Sequence, residues 1–202
     1  MSACYDENGE MIPYDMIEVQ EQMDCMAFIR KDDCVLELGA RWGGVSITIN
    51  HILEDKTKQL VVEPDSRVWE ALEKNRDNHG CKFEIVKGAI SNEEICLDTS
   101  DKRWAGLATF TTPKKDSLEI DTVPKYSLKD YDYNFNVLVV DCEGFFETFY
   151  NENRKVFKGL RLIILEKDRP DFCDYERLDK EFDKLGFTKY KDNGEHAIYL
   201  KL

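Results

Sequence analysis

Short apolar runs alternate along the chain with segments in which apolar residues recur every three or four positions. The apolar runs are typical of buried strands, and most of them end at a glycine, a proline or an acidic residue. The segments with the helical period predict amphipathic helices between the strands. The predicted strands are 34–38, 59–63, 82–86, 136–141 and 160–166, and the predicted helices are 44–56, 66–78, 145–157 and 174–185.

The two ends of the chain carry different signals. At the carboxyl end, Asn193-Gly194 lies between the strand-like segments 188–191 and 196–200, which predicts a β-hairpin. At the amino end, apolar residues over 13–30 follow a mostly helical spacing and predict an N-terminal helix, whereas the polar, acidic residues 1–12 are expected to be flexible. Segment 91–135 is less regular and holds strand-like runs at 107–111 and 120–123.

Strands that alternate with helices predict an α/β fold with an open, mostly parallel sheet and helices on both faces. The sequence shows no internal repeat, low-complexity segment or flexible linker, so residues 1–202 are predicted to form a single domain. Ligands of such sheets bind beyond the carboxyl ends of the strands. The residues that follow each predicted strand are therefore the candidates for chemistry.

The amino-acid composition and net charge limit which kinds of molecule this protein is expected to bind. The chain has 202 residues, of which 42% are hydrophobic, enough for a sizeable core. It has 28 Lys and Arg against 41 Asp and Glu, and the resulting charge of −13 disfavours nucleic acid and anionic lipid as partners. No apolar run is long enough for a membrane span. Seven scattered cysteines without a Cys-x-x-Cys pair predict free thiols and a cytoplasmic location.

The turns after the first two strands predict a cofactor that contains a nucleoside. Gly39 and Gly43 permit a tight turn and a close approach of a ligand to the backbone, although their spacing matches neither the dinucleotide fingerprint nor a phosphate loop. The second strand ends in Glu63, where a carboxylate can accept hydrogen bonds from two ribose hydroxyls. The alternative is that the glycines only close a turn and that Glu63 is a solvated loop acid.

Three segments, in this order, resemble the motifs of FkbM-type S-adenosylmethionine-dependent methyltransferases. Residues 37–46 resemble the family's Asp-x-Gly-Ala-Asn-x-Gly-x-x-Ser loop, residues 62–65 its Glu-Pro segment, and residues 139–147 its Lys-Ile-Asp-Val-Glu-Gly-x-Glu motif. The resemblance extends over 34–202. This sequence departs from the pattern with Glu37 for Asp, Arg41 for Asn and Cys142 for Val.

The resemblance implies a Rossmann-like, seven-stranded class I methyltransferase sheet that ends in a β-hairpin and whose last strand is antiparallel. It implies S-adenosylmethionine as the cofactor and O-methylation of a sugar hydroxyl in a glycan, with a deoxyhexose such as rhamnose as one acceptor. On this interpretation, the chain could be one domain of a larger protein that builds glycans. The alternatives are a methyltransferase for another small molecule or for a protein side chain, and a non-catalytic nucleotide-binding module.

The resemblance also assigns residues to the cofactor. It places Glu37 and Gly39 near the methionine moiety, Glu63 at the ribose, and residues 88–90 beside the adenine. Since the family's usual Asn holds the loop near the cofactor, Arg41 is expected to alter this part of the site. The full cofactor set is Glu37, Gly39, Ala40, Arg41, Gly43, Glu63, Pro64, Gly88, Ala89, Ile90 and Asp141.

A sugar hydroxyl needs a general base or a metal ion to remove its proton, and three predicted catalytic residues can meet this need. Asp141 and Glu166 end neighbouring strands, so their carboxylates are expected to converge and to share a proton or hold a divalent cation. His196 opens the last strand beside Glu166 and is the best-placed neutral base. Alternatively, Glu166 pairs with Lys167 or Arg169, and His196 only flanks the hairpin.

The predicted acceptor residues are Glu143, Arg103 and Trp104. Residues 98–117 lie between the third strand and the Asp141 strand and form a possible acceptor-binding insertion. An aromatic face can pack on the C–H surface of a sugar, and an arginine can contact its hydroxyls. The alternative is that Trp104 only anchors a long loop to the core.

Overall fold

The computed structural model describes residues 3–98, 110–113 and 120–201. The α-helices are α1 (Val19–Phe28), α2 (Gly44–Ile52), α3 (Trp69–Asn78), α4 (Phe146–Glu152) and α5 (Tyr175–Lys184). The strands are β1 (Cys4–Tyr5), β2 (Met11–Ile12), β3 (Val35–Leu38), β4 (Gln59–Glu63), β5 (Glu84–Lys87), β6 (Ala89–Ile90), β7 (Ile95–Asp98), β8 (Phe110–Pro113), β9 (Ile120–Thr122), β10 (Lys125–Tyr126), β11 (Val137–Val140), β12 (Leu162–Glu166), β13 (Thr188–Asp192) and β14 (His196–Leu200).

Seven of these strands form one sheet in the order β13-β14-β12-β11-β3-β4-β5. β11 pairs in parallel with both β3 and β12, and β3, β4 and β5 continue the parallel arrangement. β14 lies antiparallel between β12 and β13. The predicted mostly parallel, seven-stranded sheet with an antiparallel last strand is therefore confirmed.

Helices cover both faces of the sheet, because successive residues of a buried strand point to opposite sides. Leu36 of β3 packs in one apolar cluster with Phe146 of α4 and Phe182 of α5. Its neighbour Val35 packs in a second cluster with Val45 of α2. The Rossmann-like α/β class predicted from the alternating pattern is confirmed by this layering.

The amino end differs from the prediction. Instead of one helix over 13–30, a short 3₁₀ turn at Tyr14–Met16 precedes α1. Residues 3–12, which were expected to be flexible, contain the antiparallel β1–β2 hairpin. The cause is a tertiary contact, because the buried Asn75 side chain of α3 accepts from the Tyr5 amide and donates to the Tyr5 carbonyl, at 2.9 and 2.8 Å.

Segment 91–135 contributes strands to two small β-structures. β7 pairs antiparallel with both β8 and β9, and β6 pairs in parallel with β10. Of the possible acceptor-binding insertion at 98–117, the structure describes only residues 98 and 110–113. Arg103 and Trp104 lie outside the described residues. Among the residues that are described, no helix is long and apolar enough to cross a membrane.

Candidate active site

A cleft with about 700 Å³ of empty space opens at the carboxyl ends of β3, β4 and β11. This is the edge where the sequence places the cofactor. The cleft brings together predicted site residues from four separate segments of the chain. Its lining consists of Glu18, Leu38, Gly39, Ala40, Arg41, Val62, Glu63, Pro64, Ala89, Ile90, Asp141, Cys142, Glu143, Phe145 and Phe149.

Gly39 lets the loop after β3 turn tightly against the end of β11. Its φ is +84°, in the left-handed region that favours glycine, and its amide donates to the Val62 carbonyl at 2.9 Å. A Cβ at this position would lie 1.5 Å from the carbonyl oxygen of Asp141. The close approach of the loop to Asp141 therefore requires glycine at position 39.

The buried carboxylate of Glu63 shapes the same loop. One oxygen accepts from the amides of Ala40 and Arg41 at 3.0 and 2.6 Å, and the other accepts from the Asp65 amide at 2.7 Å. Burial raises the pKa of Glu63, and these three backbone hydrogen bonds oppose the rise. A carboxylate has about four acceptor sites, so one remains for a ligand in the cleft.

Arg41 brings a positive charge to the cleft wall. Its guanidinium stacks on the Trp42 ring, 4.2 Å from the ring centroid, and lies 3.7 Å from a Glu7 carboxylate oxygen. The same Glu7 side chain accepts from the Trp42 indole at 2.7 Å. The Nε and Nη2 atoms of Arg41 are buried and have no hydrogen-bond partner. They are suited to bind an anionic group such as a carboxylate.

Carboxylates converge on the end of β11. Asp141, Glu166 and Asp168 each offer an oxygen, and these oxygens lie within 4.8 Å of one another, as do those of Glu18, Glu21 and Asp141. Burial, reinforced by the neighbouring negative charges, raises the pKa of Glu166 to about 8 and that of Asp141 well above its usual range. Buried like charges of this kind share protons or bind a cation.

Two further groups border this cluster. Burial raises the pKa of Glu143, on the cleft wall, to about 7. His196 lies directly opposite Glu166 in the β12–β14 pair, where the sequence predicted it. Burial raises the pKa of Asp168, and its hydrogen bond with Asp141 and the neighbouring His196 oppose that rise. Glu166 and His196 do not line the cleft themselves. They lie behind it, where Glu166 is close to Asp141 and Asp168.

Unpartnered polar atoms gather at the same place. Within the described residues, the buried side-chain nitrogens and oxygens without a hydrogen bond belong to Glu21, Arg41, Asp168 and His196. Buried polar atoms are normally paired, so this concentration indicates where a polar ligand or ion completes the site. All four residues surround the cleft or the acidic cluster at its edge.

Backbone strain is concentrated here as well. Among the described residues other than glycine, those with a positive φ are Glu18, Arg41, Glu143 and Arg169. The first three line the cleft. Residues held in this conformation cost free energy and tend to cluster at functional sites.

Three predicted cofactor residues lie behind the cleft wall and do not line it. Glu37 is fully buried and accepts from the Ser46 hydroxyl at 2.7 Å and the Gln59 amide at 2.9 Å. Gly43 backs onto Leu72, and Gly88 packs against the Pro124 carbonyl. In this structure these three residues therefore face the protein interior and not the cleft.

Several residues of the cleft and of the acidic cluster at its edge were not predicted from the sequence. Glu18 directly precedes α1, and Glu21 lies in its first turn. Acidic residues are common at this end of a helix because the helix dipole stabilises negative charge there. Their position therefore carries no signal for a site. Asp168 did carry a sequence signal for a site, because it follows Glu166 by two residues at the end of a buried strand.

Replacing Glu37 by glutamine is expected to weaken the pH dependence of stability. Burial raises the pKa of Glu37 from 4.5 to about 8, so between these values the folded state keeps a proton that the unfolded state releases. The free energy of unfolding therefore falls as the pH rises through this range. We expect Glu37→Gln to remove about 1–3 kcal/mol of that fall, measured by urea unfolding between about pH 5 and 8. Parallel curves for the variant and the wild type would contradict this role.

Comparisons with protein-family models and with the curated proteins find no match to this sequence. Solved structures do match. A precorrin-6y methyltransferase from Geobacter metallireducens has a TM-score of 0.58 at 12% identity, over 93% of this chain and 90% of that one. An O-methyltransferase from Bacillus cereus, solved with S-adenosylhomocysteine, has a TM-score of 0.53 at 11% identity, over 94% and 84%.

A ribosomal-protein methylase from Lactobacillus delbrueckii also matches, with a TM-score of 0.54 at 12% identity, over 91% of this chain and 78% of that one. These likenesses show that the chain has the fold of the class I methyltransferases. The three similar proteins differ in what they methylate according to their names. The fold therefore does not identify an acceptor.

Proposed function

We propose that the protein is an S-adenosylmethionine-dependent methyltransferase that acts on a sugar hydroxyl of a glycan, with a deoxyhexose such as rhamnose as one candidate. The observation that carries the proposal is the cleft itself. It joins the Gly39 turn, the Glu63 carboxylate and Ala89 to the buried Asp141 at the carboxyl edge of the sheet. The resemblance to the FkbM family supplies the sugar as the acceptor.

The cleft residues fit this cofactor by their chemistry. Glu63 has one acceptor position left for a ribose hydroxyl, and Ala89 and Ile90 offer an apolar surface to the adenine. The Arg41 donors that have no hydrogen bond suit the carboxylate of the methionine moiety, with the guanidinium shared with the ion pair to Glu7. When bound, the cofactor would supply an electrophilic methyl group for in-line transfer. The acidic cleft residues then left to meet an acceptor are Glu18, Asp141 and Glu143.

The acidic edge supports a role in proton removal. A sugar hydroxyl is too weak an acid to ionise unaided at neutral pH, so a nearby group must accept its proton. Burial raises the pKa of Glu143 to about 7 and that of Glu166 to about 8, which makes these carboxylates stronger bases than ordinary ones. Asp141 and His196 are positioned to orient the hydroxyl or to pass the proton on. A divalent cation at Asp141 and Glu166 would instead weaken the O–H bond.

A second candidate is an amine acceptor, either a protein side chain or a small molecule. The observation that favours it is the excess of carboxylates at the end of the cleft, since Glu18, Glu21, Asp141, Glu166 and Asp168 lie together there. Such a cluster attracts an ammonium group. The same carboxylates would then have to remove a proton before the nitrogen can accept a methyl group.

A screen of acceptors with the methyl donor, read by mass spectrometry, tests the proposal. We expect a methylated product from glycans or glycosides with free hydroxyls, and we expect none from a lysine peptide panel. Methylation of the amines alone would replace the sugar proposal by the second candidate. Turnover of neither set, with the cofactor bound, would favour a non-catalytic nucleotide-binding module.

Once an acceptor is found, the rate of methyl transfer should rise with pH through about 7 to 8, where the carboxylates with raised pKa values lose their protons.

Asp141→Asn is expected to lower kcat by about 100-fold or more. Asp171→Asn, which changes an exposed residue nearby, serves as the control. Glu166→Gln and His196→Ala, each assayed with and without a chelator, separate a metal from a base. Full activity of Asp141→Asn would show that the acceptor binds elsewhere.

A further inference from the structure

A triad of carboxylates joins α1 to the end of β11. Glu18 precedes α1, Glu21 lies in its first turn, and Asp141 follows β11, and one oxygen of each lies within 4.8 Å of the others. Glu18 and Asp141 line the cleft. This triad shares Asp141 with the Glu166–Asp168 pair, but its other two members come from a helix that precedes the whole sheet.

Glu21 provides a second, independent observation. Glu21 is only 2% exposed to solvent, and its Oε1 atom has no hydrogen-bond partner. The positive charge that acts on Glu18 comes from Arg41, whose own salt bridge is with Glu7 at 3.7 Å. A buried carboxylate oxygen without a donor costs free energy, and the Glu21 carboxylate that carries it is the one that reaches Glu18 and Asp141.

We infer that Glu18, Glu21 and Asp141 form a binding site for a divalent cation of the Mg²⁺ or Mn²⁺ class. Carboxylate oxygens are the ligands that these ions prefer. Metal–oxygen distances of about 2.0–2.3 Å place two ligand oxygens of one ion at most about 4.6 Å apart. The three oxygens here lie within 4.8 Å of one another, so small side-chain movements bring them around one ion. One ion at this position gives the underpartnered Glu21 carboxylate a ligand and offsets the repulsion among the three carboxylates.

The location gives the ion a role that rests on the proposed function. It lies at the end of the cleft where Asp141 would meet the acceptor. An ion there can bind the acceptor's oxygen and weaken its O–H bond. It also ties the start of α1 to the sheet edge, so its binding stabilises the folded protein even when no cofactor is present.

Titration of the full chain with Mn²⁺ alone, followed by calorimetry, tests the site without cofactor or acceptor. We expect one ion per chain with a dissociation constant below about 1 mM. Glu21→Gln, which keeps the shape of the side chain, should weaken binding by at least about 10-fold, and Glu18→Gln should do the same. Glu70→Gln is the matched control, because Glu70 is an exposed acid in the first turn of α3.

The same four proteins should differ in thermal unfolding. Mg²⁺ should raise the melting temperature of the wild type and of Glu70→Gln, but not that of Glu21→Gln or Glu18→Gln. The site is overturned if no Mn²⁺ binds at millimolar concentration, or if Glu21→Gln and Glu18→Gln bind it as the wild type does. Loss of binding only in Glu166→Gln and Asp168→Asn also overturns it, because the ion then uses the other pair. If Glu21→Gln fails to fold, Glu18→Gln decides alone.

Failure of this site and failure of the proposed function give different results. Mn²⁺ binding is measured without cofactor, so a chain that binds Mn²⁺ but not S-adenosylhomocysteine would contradict the proposed function and leave the metal site standing. A chain that binds S-adenosylhomocysteine but no Mn²⁺ would contradict the metal site alone.

Discussion

Gly39→Ala is expected to lower the free energy of unfolding by about 3–5 kcal/mol and to abolish cofactor binding. The added Cβ would lie 1.5 Å from the Asp141 carbonyl oxygen, a distance that no rotamer relieves, because both atoms are fixed by the backbone. The loop after β3 would have to move away from β11. That movement takes Ala40 and Arg41 away from the Glu63 carboxylate that holds their amides.

Gly9→Ala separates the clash from the cost of the backbone conformation. Gly9 has nearly the same φ, +79° against +84°, and an added Cβ there meets nothing within 4 Å. We expect this control to lose about 1–2 kcal/mol from conformational strain alone, measured by urea unfolding. Equal stability of the two variants would show that the loop adapts and that position 39 does not require glycine.

Glu63→Gln is expected to weaken the binding of S-adenosylhomocysteine by about 30- to 1,000-fold, which corresponds to about 2–4 kcal/mol. The amide nitrogen of glutamine cannot accept a hydrogen bond, so the variant loses either the loop amides or the Asp65 amide, together with a charged acceptor for the ribose. Calorimetric titration measures the change.

Glu143→Gln is the control for this prediction, because Glu143 is a second acidic residue that lines the same cleft. Its removal should change the affinity for S-adenosylhomocysteine by less than about threefold, since the residue is expected to face the acceptor. If Glu63→Gln binds S-adenosylhomocysteine as tightly as the wild type does, Glu63 does not bind the ribose.

The central strands could be predicted from the sequence because their cores are continuous apolar runs. β4 spans Gln59–Glu63, the predicted bounds, and β14 begins at His196 as expected. The order of strands in the sheet was implied only by the resemblance to a known family, since alternation of strands and helices is compatible with several orders. The β1–β2 hairpin was not predicted, because it depends on the contact of Tyr5 with Asn75, which is distant in sequence.

Part of the candidate site followed from the same reasoning. Gly39, Glu63 and Asp141 come directly after or at the ends of adjacent parallel strands, so they had to meet at one edge. Glu37 was placed with them, but side chains alternate across a strand, and Glu37 points to the opposite face from Leu36 and Leu38.

Glu18 shows why the rest of the site was not predicted. Its approach to Asp141 depends on how α1 packs beside α2 and β12, which the sequence pattern does not specify. A helix-terminal acid has a sufficient local explanation in the helix dipole, so nothing in the sequence marked it as part of a cleft. Sites assembled from strand ends can be predicted, whereas contributions from a packed helix require the structure.

The central claim is that this cleft binds S-adenosylmethionine, and calorimetric titration of the wild-type chain with S-adenosylhomocysteine tests it most directly. The account predicts saturable binding of one ligand per chain with a dissociation constant of about 1–100 µM. No binding up to about 1 mM ligand, or binding of NAD in its place, would contradict the account.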